Sequence, residues 1–495
     1  MAAEDDFLTA FEPRTGPQSF SRGPPQGGPP FTLPASGIYR LRLTVLTALL
    51  LLALPAPWAE SAALSEAAGW LQQYLRLDTS NPPGNEGRSA AFLAGILRQQ
   101  GIPARILATP DGRTNLYARL SSPASRGRAV LLLHHMDVVP AGPGWNVAPF
   151  AGRVRSGYLW GRGALDDKSL GIAQLAATID LKRRRDPLER DVIFLAVADE
   201  ENGGLKGTGW LLAAHPELFK GVEAVVGEGG RSQLGAGGKL LWWGVEVAQK
   251  RALWLEVSTS GRGGHGSGLN PNSANHQLIQ GLARLLSAPP RWRVTPPVRA
   301  YCQAIAPLHN QHWRRVLSNI DAVVAPGGPK EFLMPGMANL FVDTVQVTVL
   351  RGGERINVTP DNARARLDIR LLPDTDEAAF LAEVKRLLGK GMEVKVLLSS
   401  SPAAPSPASG RLYEAVKRVL APEGPVVPTF ISGITDSRFF RERGIPAYGV
   451  SPFKIGPEDS QGIHGPNERI PVAELDRGIE RMRQILRRYV SQRAW

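Results

Sequence analysis

Five side chains that could bind metal ions occur in this sequence, each within a short and distinctive stretch. They are two histidines and three carboxylates: His135 in HHMDVVP, Asp166 in GRGALDDKS, Glu201 in ADEENGG, Glu228 in VVGEGG and His464 in GIHGPNERI. Imidazole and carboxylate groups suit a borderline cation such as zinc. Two such ions that share a bridging carboxylate form a site for hydrolysis. The residue types therefore indicate a hydrolase with two metal ions.

Three of these candidates lie at or just after the end of an apolar run. The runs are AVLLLHH for His135, DVIFLAVA before Glu201 and VEAVVG before Glu228. Continuous apolar strands are typical of parallel sheets that are covered by helices on both faces. In such α/β sheets, functional groups gather in the crevice at the carboxyl ends of the strands. We therefore expect these three side chains to lie close together.

The rest of the sequence predicts two domains, because 495 residues exceed one ordinary core. Alternation of helices and strands fills residues 64–245 and resumes over 401–495, which indicates one α/β catalytic domain. Between them, residues 246–400 have the order β-α-β-β-α-β, the ferredoxin-like arrangement, interrupted by an insertion at 288–340. His464 follows this middle region and the other four candidates precede it. The simplest organisation is a catalytic domain with a second domain inserted into it.

The N-terminal region predicts export. Residues 1–37 have the composition of a disordered tail. Within 38–63, Arg40 and Arg42 precede the twelve-residue, mostly apolar run Leu43–Leu54, and small residues follow it. These are the parts of a signal peptide, and the run is short for a spanning helix, which needs about twenty residues. The long leading tail leaves a retained membrane anchor or a later true start as alternatives. A buried core helix is less favoured, so we expect a periplasmic, secreted or membrane-anchored protein.

The charge and the cysteine content narrow the classes of function. The net charge is +13 and the chain has one cysteine, Cys302. Basic clusters can bind nucleic acid, but no recognition motif accompanies them, so we expect no nucleic-acid partner. A solvated basic surface that favours anionic substrates is the better interpretation. A single cysteine excludes an internal disulfide framework and a cysteine-based zinc site.

The chain resembles the dizinc exopeptidase and aminoacylase family, which includes carboxypeptidase G, carnosinase, succinyl-diaminopimelate desuccinylase and aminoacylase. The resemblance runs from about Ser65 to the C-terminus. It is carried by TSNPPGNE, HHMDVVP, WNVAPFAG, GRGALDDKS, ADEENGG, GRGGHGSGLNP, NVTPDNA and TDSRFF. The GEGG, TDSRFF and PEDSQGIHGPNE stretches are most similar to the branch of carboxypeptidase S and the N-fatty-acyl amino-acid synthase/hydrolases. This resemblance implies a mixed-sheet catalytic domain with an inserted lid domain.

The resemblance also implies which side chains hold which ion. His135, Asp166 and Glu228 would hold one zinc ion. Asp166, Glu201 and His464 would hold the other, so that Asp166 bridges the two. Cobalt or manganese could substitute for zinc. The peptide bond after the bridging aspartate is commonly cis in this family.

Three further residues would act in catalysis. Glu200 would be the general base, directed at the substrate while its neighbour Glu201 binds metal. Asp137 would orient the imidazole of His135, because residues two apart on a strand point the same way. His265, in the inserted domain, would polarise the scissile carbonyl, either within one chain or across a dimer. The alternative for His265 alone would be a structural histidine.

Two residues of the inserted domain would hold the substrate. Asn357 in NVTP and Arg370 in LDIR resemble positions that contact the carbonyl and the carboxylate, although an arginine at an exposed strand end is an equal alternative for Arg370. We therefore expect an exported zinc metallohydrolase that cleaves N-acyl amino acids or small peptides with a free carboxylate. A strict dipeptidase is the main alternative, and a non-catalytic binding protein is disfavoured because no ligand or base is missing. The sequence leaves two arrangements open: a homodimer through the lid domain, or a monomer in which the insertion at 288–340 covers the cleft within one chain.

Overall fold

A computed structural model describes residues 64–185, 187–325, 328–329, 333 and 336–491. The disordered tail predicted at 1–37 and the signal peptide or anchor predicted at 38–63 lie outside these residues. Among the helices of the described part of the chain, none has both the length and the apolar character needed to cross a membrane.

Within the described residues the chain forms twenty strands, numbered in chain order. They are β1 (Ala104–Ala108), β2 (Thr114–Leu120), β3 (Ala129–His135), β4 (Arg153–Arg155), β5 (Tyr158–Trp160), β6 (Asp191–Val197), β7 (Val222–Gly227), β8 (Arg231–Leu234), β9 (Leu240–Gln249), β10 (Arg251–Ser260), β11 (Gly264–His265), β12 (Val324–Ala325), β13 (Gly328–Pro329), β14 (Thr344–Arg351), β15 (Val358–Thr359), β16 (Asn362–Leu371), β17 (Glu393–Ser399), β18 (Val426–Ile431), β19 (Ala447–Val450) and β20 (Arg469–Pro471).

The same part of the chain forms thirteen α-helices. They are α1 (Glu66–Leu75), α2 (Glu86–Gln99), α3 (Lys168–Arg184), α4 (Thr208–Ala214), α5 (Ala274–Leu286), α6 (Pro296–Ile305), α7 (Gln311–Ser318), α8 (Ile320–Val323), α9 (Glu377–Leu388), α10 (Arg411–Leu420), α11 (Ser437–Arg441), α12 (Pro457–Ser460) and α13 (Val472–Val490).

The larger sheet is mixed. Its strand order is β1-β2-β6-β3-β7-β19-β9-β18, and β8 pairs with β9. The strands β6, β3, β7 and β19 run parallel to one another. The pairs β1–β2, β2–β6 and β19–β9 are antiparallel. The α/β class with a mixed sheet, expected from the sequence and its resemblance, is confirmed.

The central strand β3 explains why its sequence is apolar throughout. All seven of its residues are buried, and successive side chains point to opposite faces of the sheet. Val130 and Leu132 share a core with helices α1, α2, α3, α10 and α13. Leu131 and Leu133 pack on the other face, with α4 and α11. Because helices cover both faces, neither face of β3 can carry polar side chains except at its end.

The smaller sheet has the order β14-β16-β10-β17, with every neighbouring pair antiparallel. Along the chain its elements run β10, α5, β14, β16, α9, β17, which is the β-α-β-β-α-β order predicted within 246–400. Leu253 and Leu255 of β10 pack with Leu278 of α5 and Leu388 of α9. Whether this unit acts as a lid stays a prediction.

One residue joins the two sheets. Strand β9 ends at Gln249 and β10 begins at Arg251, so only Lys250 lies between them. The chain leaves the smaller sheet again at Ser400, close to the same point. Arg251 links the two segments that connect the sheets. Its guanidinium donates to the carbonyl oxygens of Ser400 and Thr375, both at 2.9 Å.

The insertion predicted at 288–340 carries the helices α6, α7 and α8. Val298 and Tyr301 of α6 share a core with Trp242 of β9 and Phe430 of β18. The insertion therefore packs against the edge of the larger sheet that β9 and β18 form.

A third, short sheet has the order β20-β5-β4. Its strand β20 pairs with β5 between Arg469 and Trp160. This pairing anchors the segment that precedes β20, which contains His464, beside the turn that follows β5, which contains Asp166.

Candidate metal centre and active site

The carboxyl ends of three parallel strands deliver side chains to one place. His135 is the last residue of β3, Glu200 and Glu201 follow β6, and Glu228 follows β7. Strand β3 pairs in parallel with both β6 and β7, so these ends are adjacent. The fourth and fifth candidates, Asp166 and His464, come from the turns that the third sheet brings together.

The structure brings all five predicted ligands into one cluster. The two carboxylate oxygens of Asp166 face different histidines: Oδ1 lies 3.0 Å from Nε2 of His135, and Oδ2 lies 3.1 Å from Nε2 of His464. Glu201 Oε2 lies 3.3 Å from Nε2 of His464. Glu228 Oε2 lies 3.8 Å from Nε2 of His135. Asp166 thus lies between His135 and His464, as a carboxylate that bridges two metal ions must.

Asp167, the next residue after Asp166, also lies beside this cluster. Two groups of side chains have ligand atoms within 4.8 Å of one another: His135 with Asp166 and Glu201, and His135 with Asp167 and Glu228. Oδ2 of Asp167 is buried and has no hydrogen-bond partner among the described residues. The peptide bond between Asp166 and Asp167 is cis, as the family resemblance implies.

The two adjacent histidines of HHMD point to opposite faces of β3. His134 lies among buried groups, with Nε2 3.5 Å from the hydroxyl of Tyr74, and burial lowers the pKa of His134 to about 3. His135 points into the cluster, and its Nδ1 donates to the backbone carbonyl of Asp137 at 2.9 Å. That bond leaves Nε2 of His135 facing the carboxylates. Of the two adjacent histidines, His135 is therefore the one that can bind a metal ion in the cluster.

Asp137 contributes differently from the expectation. Its backbone carbonyl, rather than its carboxylate, accepts the short hydrogen bond from His135; the carboxylate lies 3.7 Å from that nitrogen. The carboxylate instead accepts from Nδ2 of Asn81 at 2.8 Å and from the backbone amides of Glu200 and Glu201, both at 3.2 Å. Asp137 therefore fixes the turn that carries both glutamates.

The cluster gathers more negative than positive charge. Five carboxylates surround two imidazoles, and they belong to Asp166, Asp167, Glu200, Glu201 and Glu228. Burial, with the neighbouring charge of Glu228, raises the pKa of Glu200 well above its usual range. Hydrogen bonds to Asp166 and Glu201 raise the pKa of His464 to about 10. Such a buried excess of carboxylates is stabilised either by protons or by cations.

Glu468 is a functional residue that the sequence reasoning missed. It is fully buried, and its carboxylate accepts from the backbone amides of Gly163, Leu165 and Asp166 at 2.7–3.0 Å. Nη1 of Arg162 completes the contacts at 2.8 Å. Glu468 therefore holds the turn that presents Asp166. Its one signal in the sequence is an acidic residue within GIHGPNERI, the stretch that contains His464.

Arg113 is a second residue that was missed. Its buried guanidinium pairs with Glu86 and Asp199 and reaches Oδ1 of Asn81 at 3.4 Å. Asn81 in turn donates to Asp137. This network links helix α2 to the turn after β6. The sequence carried no local signal for it, because its members are far apart in the chain.

The residues predicted on the inserted domain lie in two places. His265 on β11 and Asn357, next to β15, are neighbours, since the amide of Gly266 donates to the carbonyl of Asn357 at 2.8 Å. The His265 side chain is exposed, with Nδ1 2.8 Å from Oγ of Ser267. Their proximity was not anticipated.

Arg370 lies on β16 and is already paired. Its guanidinium makes two hydrogen bonds to the carboxylate of Asp368, at 2.7 and 3.0 Å, and lies over the ring of Trp254. Among the described residues, no hydrogen bond or ion pair joins His265, Asn357 or Arg370 to the metal-ligand cluster. Their roles in substrate binding and catalysis stay predictions.

Comparison with known proteins identifies relatives over most of the chain. Residues 131–488 match the model of peptidase family M20/M25/M40. Aminoacylase-1 from Sus scrofa is 28% identical, over 84% of this chain and 93% of its own length. N-fatty-acyl-amino acid synthase/hydrolase PM20D1 from Mus musculus is also 28% identical, over 71% of this chain and 72% of its own length. The M20 family metallo-carboxypeptidase Sso-CP2 from Sulfolobus solfataricus has the same fold, with a TM-score of 0.67 and 21% identity, over 86% of this chain and 99% of its own.

Proposed function

This chain belongs to peptidase family M20/M25/M40, and we propose that it is an exported zinc enzyme that cleaves N-acyl amino acids or small peptides with a free carboxylate. That it is a hydrolase of amide bonds follows from its family and from its aminoacylase relatives. The main support for the proposal is the position of Asp166, whose two carboxylate oxygens face His135 and His464. Export is supported by the sequence of residues 38–63.

The donor set fits two divalent cations. Oε1 of Glu201 is buried without a hydrogen-bond partner among the described residues, which is costly unless a cation neutralises it. We assign His135, Asp166 and Glu228 to one ion, and Asp166, Glu201 and His464 to the other. When bound, the ions would polarise the scissile carbonyl and lower the pKa of a water molecule. Zinc contents of Asp166→Asn and Asp167→Asn would test this choice of bridging residue.

Glu200 is proposed as the general base. It lies in the same turn as Glu201, held by Asp137, and makes no contact with either histidine among its described hydrogen bonds and ion pairs. A carboxylate in this position can take a proton from water and then pass it to the leaving amine. His265 would donate a hydrogen bond to the developing oxyanion. Arg370 would bind the free carboxylate after exchanging its partner Asp368 for the substrate.

The relatives favour an acylase over a strict dipeptidase. The two relatives compared by sequence are an aminoacylase and an N-fatty-acyl-amino acid synthase/hydrolase, and both names describe substrates with an acylated amino group. A dipeptidase is the second candidate, because acyl pockets vary widely on a common scaffold.

A substrate panel would separate these functions. The purified full chain is treated with a chelator, restored with zinc, and assayed with N-acyl amino acids and with unmodified dipeptides. We expect activity only after zinc is restored, and faster hydrolysis of the N-acyl amino acids. Full activity in a preparation that is metal-free by elemental analysis would overturn the metal assignment. Cleavage of dipeptides alone would support the second candidate.

A further inference from the structure

The loop TSNPPGNE, residues 79–86, contains none of the metal ligands, yet it lies against the site. The backbone amide of Asn81 donates to the carbonyl oxygen of Val138 at 2.9 Å. The side-chain amide of Asn81 donates to the carboxylate of Asp137 at 2.8 Å. The loop is therefore bound, by backbone and by side chain, to the HHMDVVP stretch.

The guanidinium of Arg113, the residue before β2, fills the inside of this loop. Its Nε and Nη2 donate to the two carboxylate oxygens of Glu86, and the distance from Nε is 3.1 Å. Both side chains are buried. Gly84 has a φ of +78°, and a Cβ at that position would lie 2.7 Å from Cζ of the guanidinium. The glycine and the glutamate of the loop thus have the identities that an enclosed guanidinium requires.

The third nitrogen of Arg113 reaches the turn that carries Glu200 and Glu201. Its Nη1 donates to Oδ1 of Asp199 at 2.9 Å and lies 3.4 Å from Oδ1 of Asn81. Asp199 directly precedes Glu200 and has a φ of 71°, in a region that residues other than glycine rarely occupy. Such a conformation persists only where the surroundings determine it.

Asp199 closes the turn with its remaining acceptors. Its Oδ2 accepts from the backbone amide of Lys206 at 3.0 Å. Its carbonyl oxygen accepts from the amides of Asn202 and Gly204, at 3.1 and 2.6 Å. The turn is therefore closed within itself at Asp199 and is joined to the TSNPPGNE loop through Arg113.

The guanidinium acts on both glutamates by two routes. The direct route is its bond to Asp199, the residue before Glu200. The indirect route runs through Asn81 to Asp137, whose carboxylate accepts from the amides of both glutamates at 3.2 Å. Accurate placement matters here, because a displacement of about 1 Å in an active site can cost roughly 10²-fold in rate.

We propose that Arg113 is a positioning residue for the hydrolysis: its guanidinium sets where Glu200 and Glu201 lie relative to the metal ions, and the TSNPPGNE loop encloses that guanidinium. This inference rests on the proposed roles of Glu200 as base and Glu201 as ligand. Loss of Arg113 should lower turnover and weaken the ion held by Glu201 and His464. Substrate binding uses other residues and should be retained.

Arg113→Met tests the proposal in the full chain, because methionine occupies part of the space and makes none of the polar contacts. We expect kcat to fall roughly 10–100-fold with KM little changed, as for other residues that orient metal ligands. Calorimetric titration of the metal-free protein with zinc provides a readout besides activity. One of the two ions should bind roughly 10–100-fold more weakly, and the affinity for the other should be unchanged.

Two conservative variants extend the test and keep it decisive if Arg113→Met does not fold. Arg113→Lys keeps the charge but cannot bind Glu86 and Asp199 together, so it should recover only part of kcat. Asp199→Asn keeps the shape of the side chain, and asparagine tolerates the left-handed conformation. It removes the charge that faces Arg113 and should change kcat and zinc affinity in the same direction. Natural values of both quantities in these two variants would overturn the proposal.

Arg481→Met is the matched control. The guanidinium of Arg481 is also buried and pairs with two carboxylates, those of Glu423 and Glu474, both at 2.6 Å. Among the described residues, no hydrogen bond or ion pair joins it to the turn after β6. Arg481→Met should lose stability as Arg113→Met does, yet keep kcat and both zinc affinities well below its unfolding midpoint. If both variants changed these quantities equally, Arg113 would be structural only.

Glu200→Gln, measured in the same assays, separates this proposal from the proposed function. If Glu200→Gln kept full turnover, the assignment of the base would be wrong, and the positioning of Glu200 by Arg113 would fall with it. If Glu200→Gln were inactive while Arg113→Met kept its turnover and both zinc affinities, the base would stand and the positioning role of Arg113 would be wrong.

Discussion

Glu200 and Glu201 are neighbours in one short turn, yet their surroundings assign them different tasks. Glu201 lies 3.3 Å from Nε2 of His464, within reach of a shared cation. Among the described residues, the side chain of Glu200 makes no hydrogen bond or ion pair, and its backbone amide donates to Asp137. The division of roles that the sequence predicted is therefore compatible with the geometry, and substitution can test it.

We expect Glu200→Gln to lose turnover roughly 10²–10⁴-fold while retaining both metal ions, because it removes a base and no ligand. Glu201→Gln should instead lower the metal content. Elemental analysis and steady-state kinetics of the two variants provide the measurement. The reverse result, with metal lost in Glu200→Gln alone, would exchange the two roles.

At the residue scale, the sequence predicted the cluster better than its supports. His135, Glu201 and Glu228 could be found because apolar strands end just before or at them. Glu468 could not be found in this way, because no periodic or fixed-spacing sequence pattern marks a carboxylate that accepts from three backbone amides. Its partners lie about three hundred positions earlier in the chain. For Asp137 the sequence predicted a contact with His135 but not the contact of its carboxylate with the amides of Glu200 and Glu201. Those amides follow a different strand, β6, so no local pattern indicates the contact.

At the element scale, the turn that presents Asp166 is held by Glu468, which accepts from three backbone amides and forms a buried ion pair with Arg162. Glu468→Gln should lower the free energy of unfolding by about 3–5 kcal/mol, because it leaves the buried guanidinium of Arg162 without its counter-charge. The midpoint of urea unfolding measures this loss.

The matched control for that substitution is Glu480→Gln. Glu480 pairs with Arg483 on the surface of α13, 54% exposed, and an exposed pair contributes less than about 1 kcal/mol. Equal unfolding midpoints for the two variants would show that Glu468 does not hold the turn.

Lys250, the single residue between β9 and β10, predicts a pH dependence of stability. Its Nζ is buried and donates to the carbonyl of Val342 at 2.7 Å, and burial lowers the pKa of Lys250 to about 8. An unfolded lysine keeps a pKa of about 10.4. Between these values the unfolded chain binds the extra proton, so the contribution of Lys250 to stability rises with pH. Below pH 8 both states are protonated and this contribution is constant.

We therefore expect the difference in unfolding free energy between the natural chain and Lys250→Met to shift in favour of the natural chain as pH rises from about 8 to 10. The slope should approach about 1.4 kcal/mol per pH unit at most. Urea unfolding at several pH values provides the measurement. A difference that stays constant over this range would show that Lys250 titrates normally.

At the scale of the whole molecule, the two-sheet organisation could be predicted because each sheet has its own periodicity. Continuous apolar strands specified the larger sheet, and alternating strands such as β10 specified the smaller one. The position of the insertion could not be predicted in this way. The sequence of the insertion shows which helix faces are apolar. It does not show what these faces pack against, because Trp242 and Phe430 belong to strands distant in sequence.

His265 provides the test of how the two sheets cooperate. His265→Ala should keep metal content and fold, while turnover falls roughly 10²–10³-fold, as for loss of an oxyanion donor. His276→Ala, an exposed histidine of the same domain, is the control and should be unaffected. Unchanged kinetics in His265→Ala would make that histidine structural.

If His265 acts across a dimer, mixing inactive His265→Ala with inactive Glu200→Gln should restore part of the activity. Recovery is expected because a mixed dimer contains one site with both functional groups. Sedimentation of the same mixtures would show whether subunits exchange. Exchange without any recovery would assign His265 to the site of its own chain.

If the smaller sheet acts as the predicted lid, the single residue Lys250 between β9 and β10 is the place where the backbone would rotate. Strand β10 runs ten residues from that crossing toward His265, a rigid arm of about 33 Å at 3.3 Å per residue. A change of about 10° in the backbone at Lys250 would therefore sweep the far end of the arm through roughly 6 Å. Neither sheet would need to break a hydrogen bond within itself. If the unit moves as the lid prediction requires, the distance between His265 and the metal ligands would change by rotation at Lys250, and the hydrogen bonds of Arg251 to Ser400 and Thr375 would keep the two connecting segments together.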